Sequence, residues 1–165
     1  MKILKGITVL IFLATCSLSA QEIANHALGL RLGDSDGFGA EISYQTALGV
    51  GNRAEFDLGW RDSRNFDAFK LAGLYQWVRP IENNFNWYYG VGGGLGSVDF
   101  PNNPNRDDDD GGLFIFAAGD IGIEYNFDIP LILSLDFRPE LGVVGYDGFS
   151  DNFDFDIGLG IRYQF

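Results

Sequence analysis

The final thirteen residues of the chain alternate strictly between apolar side chains and polar or small ones. One parity of positions carries seven apolar residues, Phe153, Phe155, Ile157, Leu159, Ile161, Tyr163 and Phe165. The other parity carries charges, glycines and a glutamine. Because successive side chains of a β-strand point to opposite faces of a sheet, this alternation predicts a strand with one apolar face.

Seven further stretches show the same alternation, and residues typical of turns, mainly Gly, Pro, Asn and Asp, separate them. They cover residues 25–33, 38–46, 53–61, 66–78, 85–97, 113–127 and 131 to about 138. No stretch shows helical periodicity. Eight strands of roughly nine to thirteen residues match the length that a strand tilted by about 45° needs to cross a bilayer.

The two faces of these strands differ in bulk as well as polarity. The apolar face is rich in Phe, Trp, Tyr and Leu, whereas the opposite face carries mostly Gly, Ala, Ser and charges. A soluble barrel of the lipocalin type would turn the bulky face inward, but eight strands enclose a space that smaller side chains already fill. The pattern therefore predicts an all-β fold, an eight-stranded antiparallel up-and-down transmembrane barrel with an apolar exterior and a polar, Gly-rich interior.

Two local features refine this fold. Aromatic residues near the predicted strand ends are expected to form girdles at the membrane interfaces; they are Trp60, Trp77, Trp87, Tyr125, Tyr163 and Phe165. Pro139 falls near the expected end of the seventh strand and lacks an N–H group, so it requires a bulge or a position above the membrane.

The amino-terminal segment has the layout of a secretory signal peptide. Lys2 and Lys5 precede an apolar run over residues 7–13, and small residues lead to Ala20. We expect residues 1–20 to be removed and residues 21–165 to form one barrel domain; a lipid-modified Cys16 is an alternative. The whole chain carries a formal charge of -12, and losing two lysines makes it more negative. This charge argues against binding nucleic acid.

The terminal strand resembles the strand by which bacterial outer-membrane barrels are recognised for insertion. The matching positions are Ile157, Leu159, Ile161, Tyr163 and Phe165. The whole pattern resembles small eight-stranded outer-membrane barrels of the OmpX and OmpA transmembrane-domain kind. This resemblance implies a monomer in the bacterial outer membrane, contact with lipopolysaccharide, assembly by the barrel assembly machinery, and both chain ends in the periplasm.

The inward face is predicted to carry a network of charges, because a lone charge is costly to bury. Its members are Arg31, Glu41, Glu55, Asp57, Lys70, Asp120, Glu124, Asp136, Arg138, Asp154, Asp156 and Arg162. We expect Arg31 to meet Asp154 and Asp156, and Arg138 to meet Asp156 or Asp120. A plug that closes the lumen is favoured, since eight strands leave no open channel. The alternative is a small porin-like or ligand-passing barrel.

The predicted outer loop at residues 98–112 is the most distinctive exposed segment and a candidate binding surface. It contains Asp107, Asp108, Asp109 and Asp110, whose oxygens suit Ca²⁺ or Mg²⁺. The spacing is not that of an EF-hand, and a solvated charge run is the commoner interpretation.

Catalysis is not expected. Lipid A deacylases and acyltransferases of the outer membrane use a histidine with a serine and an acid. This chain has one histidine, His26, near the start of the mature chain and thus at the periplasmic end. The sequence therefore predicts a structural or surface-interaction protein without a cofactor, and a lipid-modifying enzyme is the weaker alternative.

Overall fold

A computed structural model describes residues 23–33, 39–62, 67–99, 112–145 and 153–165. The eight strands are β1 (His26–Leu32), β2 (Ala40–Gly49), β3 (Asn52–Asp62), β4 (Asp67–Glu82), β5 (Phe85–Asp99), β6 (Gly112–Asn126), β7 (Leu131–Val144) and β8 (Phe153–Gln164). They form a closed antiparallel barrel in sequence order, with β8 paired to β1. The predicted eight-stranded barrel is confirmed. In the described ranges, no helix has the length and apolarity needed to cross a membrane.

The strands are strongly staggered. One path across the pairings from Arg31 runs through Glu41, Gly59, Lys70 and Gly96. The opposite path runs through Gly160, Ser134, Glu124 and Asn86. Both paths end on β5, at positions 96 and 86, so the register shifts by ten residues around the barrel. A shift of this size in eight strands tilts them by roughly 40°.

The barrel has two different ends. We call the end that holds His26, Phe165 and the short β2–β3, β4–β5 and β6–β7 turns the terminal rim. At this rim the β4–β5 turn uses Asn83 with φ 51°, a left-handed conformation that asparagine tolerates.

The opposite end is the loop rim. Its connections, residues 34–38, 63–66, 100–111 and 146–152, lie outside the described residues, as do residues 1–22. The loop predicted at 98–112 is shorter than expected, because Val98 and Asp99 belong to β5 and Gly112 to β6.

Large apolar side chains cover the outside of the wall. Leu28, Leu30 and Leu32 on β1 each leave nearly half of their surface exposed, and the other strands carry similar residues. Aromatic rings gather toward the terminal rim, where Trp77 stacks on Tyr89 at 5.3 Å between centroids. Such a surface lacks the polar groups that a water-facing barrel presents.

The position of Pro139 corrects the sequence prediction. β7 continues to Val144, so Pro139 lies well inside the strand and not near its end. Pairing between β6 and β7 runs from Ala118 with Glu140 directly to Ile121 with Phe137. The ladder is thus interrupted where the proline lacks its N–H group, and the neighbouring Gly119 leaves room for the ring, since a Cβ there would lie 3.2 Å from Pro139 Cγ.

Candidate functional site: the charged lumen

The inward face of the barrel holds a dense set of ionisable side chains. Eleven of the twelve residues predicted for the lumen are buried: Arg31, Glu41, Glu55, Asp57, Lys70, Asp120, Glu124, Asp136, Arg138, Asp156 and Arg162. Asp154 is half-buried. Arg53 and Glu140 are also buried and were missed, because they lie at or beyond the predicted ends of their strands.

Arg31 joins carboxylates from three strands. Its guanidinium lies 2.5 Å from Asp156 on β8, 3.2 Å from Glu41 on β2 and 2.5 Å from Asp136 on β7. Asp156 was a predicted partner. Asp154 was the other, and its carboxylate accepts a hydrogen bond from the Phe155 backbone at 2.8 Å. Arg31 therefore links β1 to β2, β7 and β8 on the inner side of the β1–β8 closure.

Arg138 spans the lumen in a direction that the sequence did not predict. It pairs with Asp57 at 2.7 Å and Glu55 at 3.0 Å, both on β3, and with Glu41 on β2 at 3.6 Å. The sequence predicted Asp156 or Asp120. Asp156 faces Arg138 in the β7–β8 register, but its carboxylate is bound by Arg31, and the lumen is narrow enough for an arginine to reach the opposite wall.

A second layer lies toward the terminal rim. Arg53 contacts Glu124 at 2.6 Å and Gln76 at 2.6 Å, and its guanidinium lies 4.7 Å from the centre of the Tyr88 ring. These contacts tie β3 to β4, β5 and β6.

Arg162 completes this layer on the β8 side. It donates to Ser43 on β2 at 2.9 Å and Ser134 on β7 at 2.7 Å. It also lies 3.3 Å from Glu55. Glu55 thereby links this layer to the Arg138 layer, so the charges form a connected network.

Toward the loop rim the interior becomes apolar. Lys70 and Glu140 pair at 2.7 Å, and Lys70 lies 5.0 Å from the centre of the Phe116 ring. A buried cluster continues from there, formed by Ala68, Ala72, Leu74, Val98, Phe114, Phe116 and Ala118. Phe114, Phe116 and Tyr88 are bulky exceptions to the predicted small and polar interior.

Glycines on neighbouring positions make room for these large side chains. A Cβ at Gly94 would overlap the Phe116 ring, and a Cβ at Gly96 would overlap the Phe114 ring. The glycine row of β5 therefore has a packing role. A glycine on β5 thus faces a phenylalanine on β6 at two register positions, and the phenylalanine rings fill the space above the glycines.

The remaining candidates stay separate from this network. The structure does not describe Asp107, Asp108, Asp109 and Asp110, and among the residues it does describe no group of three His, Cys, Asp or Glu side chains is arranged to hold a metal ion. His26 lies at the terminal rim, where it stacks on Phe165 with 5.7 Å between ring centres. Its Nδ1 is 2.9 Å from the Tyr44 hydroxyl.

Comparison with known proteins identifies the fold. No protein-family model and no curated protein matches the chain, but solved structures do. The N-terminal barrel of Pseudomonas aeruginosa OprF aligns with TM-score 0.62 and 14% identity over 86% of this chain and 98% of that one. Neisserial surface protein A aligns with TM-score 0.57 and 13% identity over 85% of this chain and 94% of that one.

A third structure agrees. Ail, the attachment invasion locus protein of Yersinia pestis, aligns with TM-score 0.56 and 14% identity over 87% of this chain and 100% of that one. At such low identity these likenesses establish the fold alone. The resemblance to small eight-stranded outer-membrane barrels is confirmed at that level.

Proposed function

We propose that this chain is an integral protein of the bacterial outer membrane with a structural or surface-interaction role. The observation that carries the proposal is the inversion of an ordinary soluble fold: apolar side chains cover the outside while charges fill the inside. Only a closed barrel can place strands in lipid without unpaired backbone groups. The pairing of β8 with β1 supplies that closure.

We further propose that the lumen is closed to ions. Arg138 crosses it completely and is fully buried. The Arg53 layer lies beneath it, and the Phe114 and Phe116 rings lie toward the loop rim. Three successive layers of packed side chains support a plug rather than a channel, which is the expectation for eight strands.

Export, assembly and partners belong to the same proposal. Residues 1–20 act as a signal peptide, and the barrel assembly machinery recognises the terminal strand with Ile157, Leu159, Ile161, Tyr163 and Phe165. The barrel is a monomer that contacts lipid and lipopolysaccharide. The loop rim faces outward and presents the connection at 100–111, including the four aspartates at 107–110, as the candidate binding surface.

Fractionation tests the location. The full-length chain is expressed in a Gram-negative host, outer and inner membranes are separated, and the amino terminus of the outer-membrane form is sequenced. We expect an outer-membrane protein that begins after Ala20. Recovery in the periplasm with an intact barrel would refute the membrane location.

Conductance tests the plug. Protein extracted from the outer membrane is inserted into planar bilayers, and single-channel currents are recorded for the wild type and Arg138→Ala, with Arg79→Ala as a control because Arg79 binds backbone carbonyls at the terminal rim. We expect no current from the wild type or the control. Discrete wild-type currents that Arg138→Ala enlarges would favour the porin-like alternative, with the network as its gate.

A further inference from the structure

Four buried side-chain oxygen atoms of the lumen have no hydrogen-bond partner within the described part of the chain, one of them Asp57 Oδ1 on β3. The other three belong to the adjacent strands β5, β6 and β7: the Tyr88 hydroxyl, Asp120 Oδ1 and Asp136 Oδ2. Tyr88 is completely buried, and the two aspartates are at least 95% buried. A buried polar group without a partner costs about 1–3 kcal/mol. Native interiors seldom leave three such groups together.

These oxygens belong to residues around Gly122, and the Tyr88 phenol occupies the space that a side chain at position 122 would fill. Gly122 on β6 is the register partner of Tyr88 on β5 and of Asp136 on β7. A Cβ at Gly122 would lie 2.5 Å from the Tyr88 hydroxyl oxygen, so the phenol extends across β6 toward β7. Asp120 is two residues from Gly122 and therefore points to the same face.

The second oxygen of each carboxylate is already bound. Asp120 Oδ2 accepts a hydrogen bond from Gln76 at 2.5 Å, and Asp136 Oδ1 accepts one from Arg31 Nε at 3.0 Å. These contacts hold both carboxylates in place and leave Asp120 Oδ1 and Asp136 Oδ2 as acceptors. The Tyr88 hydroxyl is a donor without an acceptor.

We propose that an ordered water molecule binds beside Gly122 and joins Tyr88, Asp120 and Asp136. Water accepts the hydroxyl proton of Tyr88 and donates one hydrogen to each carboxylate, which gives the three hydrogen bonds that buried waters usually make. A metal cation fits less well, because it cannot accept a proton and because Arg31 already supplies positive charge to Asp136. The site rests on the proposed plug and adds to it, since one bound molecule joins polar groups of three adjacent strands.

The Tyr88→Phe variant tests the site, because the two possibilities change stability in opposite directions. If the hydroxyl has no partner, its removal favours the folded state. If a water molecule bridges the hydroxyl to the carboxylates, removing the hydroxyl costs the network a hydrogen bond. We then expect the unfolding equilibrium constant to rise about five- to thirtyfold. Tyr89→Phe is the matched control, because Tyr89 is the adjacent, outward-facing tyrosine; we expect less than a twofold change there.

A double-mutant cycle locates the effect. Tyr88→Phe combined with Asp136→Asn should show a coupling of about threefold or more in the unfolding constant. Tyr88→Phe combined with Glu140→Gln, which alters the Lys70 pair, should be additive. A stabilising Tyr88→Phe or an additive cycle with Asp136→Asn would overturn the water site.

The salt dependence separates water from a cation. The unfolding of the membrane-extracted protein is compared in sodium chloride and choline chloride at equal ionic strength. Equal stabilities are expected for a water site. A sodium-specific stabilisation that disappears in Asp136→Asn would overturn the water assignment in favour of a cation. Stability and conductance are measured separately. A failure of the water site can therefore be told apart from a failure of the proposed plug.

Discussion

We expect that replacing Arg138 with methionine strongly destabilises the barrel. The described lumen buries five cationic side chains and eight carboxylates, so the loss of one cation leaves carboxylates that no spare cation can neutralise. Arg138 contacts three of these carboxylates, Glu41, Glu55 and Asp57. Breaking a buried ion pair from one side typically costs about 3–5 kcal/mol. We therefore expect a loss of about 4 kcal/mol in the free energy of unfolding.

Urea unfolding in lipid vesicles measures this loss. The three tryptophans provide the signal, because Trp60, Trp77 and Trp87 lie on the outward parity of their strands and their emission shifts when they reach water. Arg79→Met is the control, since Arg79 is only partly buried, and it should lose less than about 1 kcal/mol.

A compensating variant separates electrostatics from packing. Adding Glu55→Gln and Asp57→Asn to Arg138→Met removes the two carboxylates that the arginine binds most closely. We expect this triple variant to regain more than half of the lost stability, because neutral replacements of a buried ion cluster are often tolerated. A loss below about 1 kcal/mol for Arg138→Met, or no recovery in the triple variant, would refute the proposed electrostatic role.

Two further predictions concern packing and the outward face. Gly94→Ala should cost about 1–3 kcal/mol by overpacking, because its Cβ would overlap both the Leu71 carbonyl oxygen and the Phe116 ring. Gly73→Ala should be neutral, since its Cβ would lie 3.6 Å from Phe56. Urea unfolding measures both variants, and equal effects would contradict the packing role. Leu30→Arg should lower the free energy of unfolding in bilayers by about 2–4 kcal/mol. Ile129→Arg, on a terminal-rim turn, should lower it by less than about 1 kcal/mol. Similar losses for the two variants would contradict a lipid-facing Leu30.

The sequence predicts some strands better than others for a physical reason. In β8, charges and glycines mark the inner face at every second position, so the face can be assigned without a structure. In β6, residues 113–118 are apolar at every position, and periodicity does not select a face. The glycines of β5 decide the matter, since Gly94 and Gly96 leave space for the β6 rings. The glycines of β5 therefore indicate which β6 rings point inward, but only once the register between β5 and β6 is known.

The partners of the lumen charges were harder to predict than their burial. Alternation assigns a residue to the inner face but not to a height along the barrel, which depends on the ten-residue register shift. Arg138 illustrates this, because its register partner is Asp156 on the next strand, yet its ion pairs cross to Glu55 and Asp57. In a narrow barrel, a long side chain can reach partners on any strand at the same height along the barrel axis.

The closure of β8 on β1 has a consequence for how this protein folds. Each other strand pair is a hairpin between neighbours in the sequence, whereas Ala27 and Gln164 pair across 137 positions of chain. That contact carries the largest entropic cost of loop closure, and until it forms both edge strands hold unpaired backbone groups that lipid cannot satisfy. Insertion and closure should therefore occur as one cooperative event. Substitutions at His26 or Phe165, where the backbone of the two ends meets at 2.9 Å, should slow insertion more than they weaken the finished barrel.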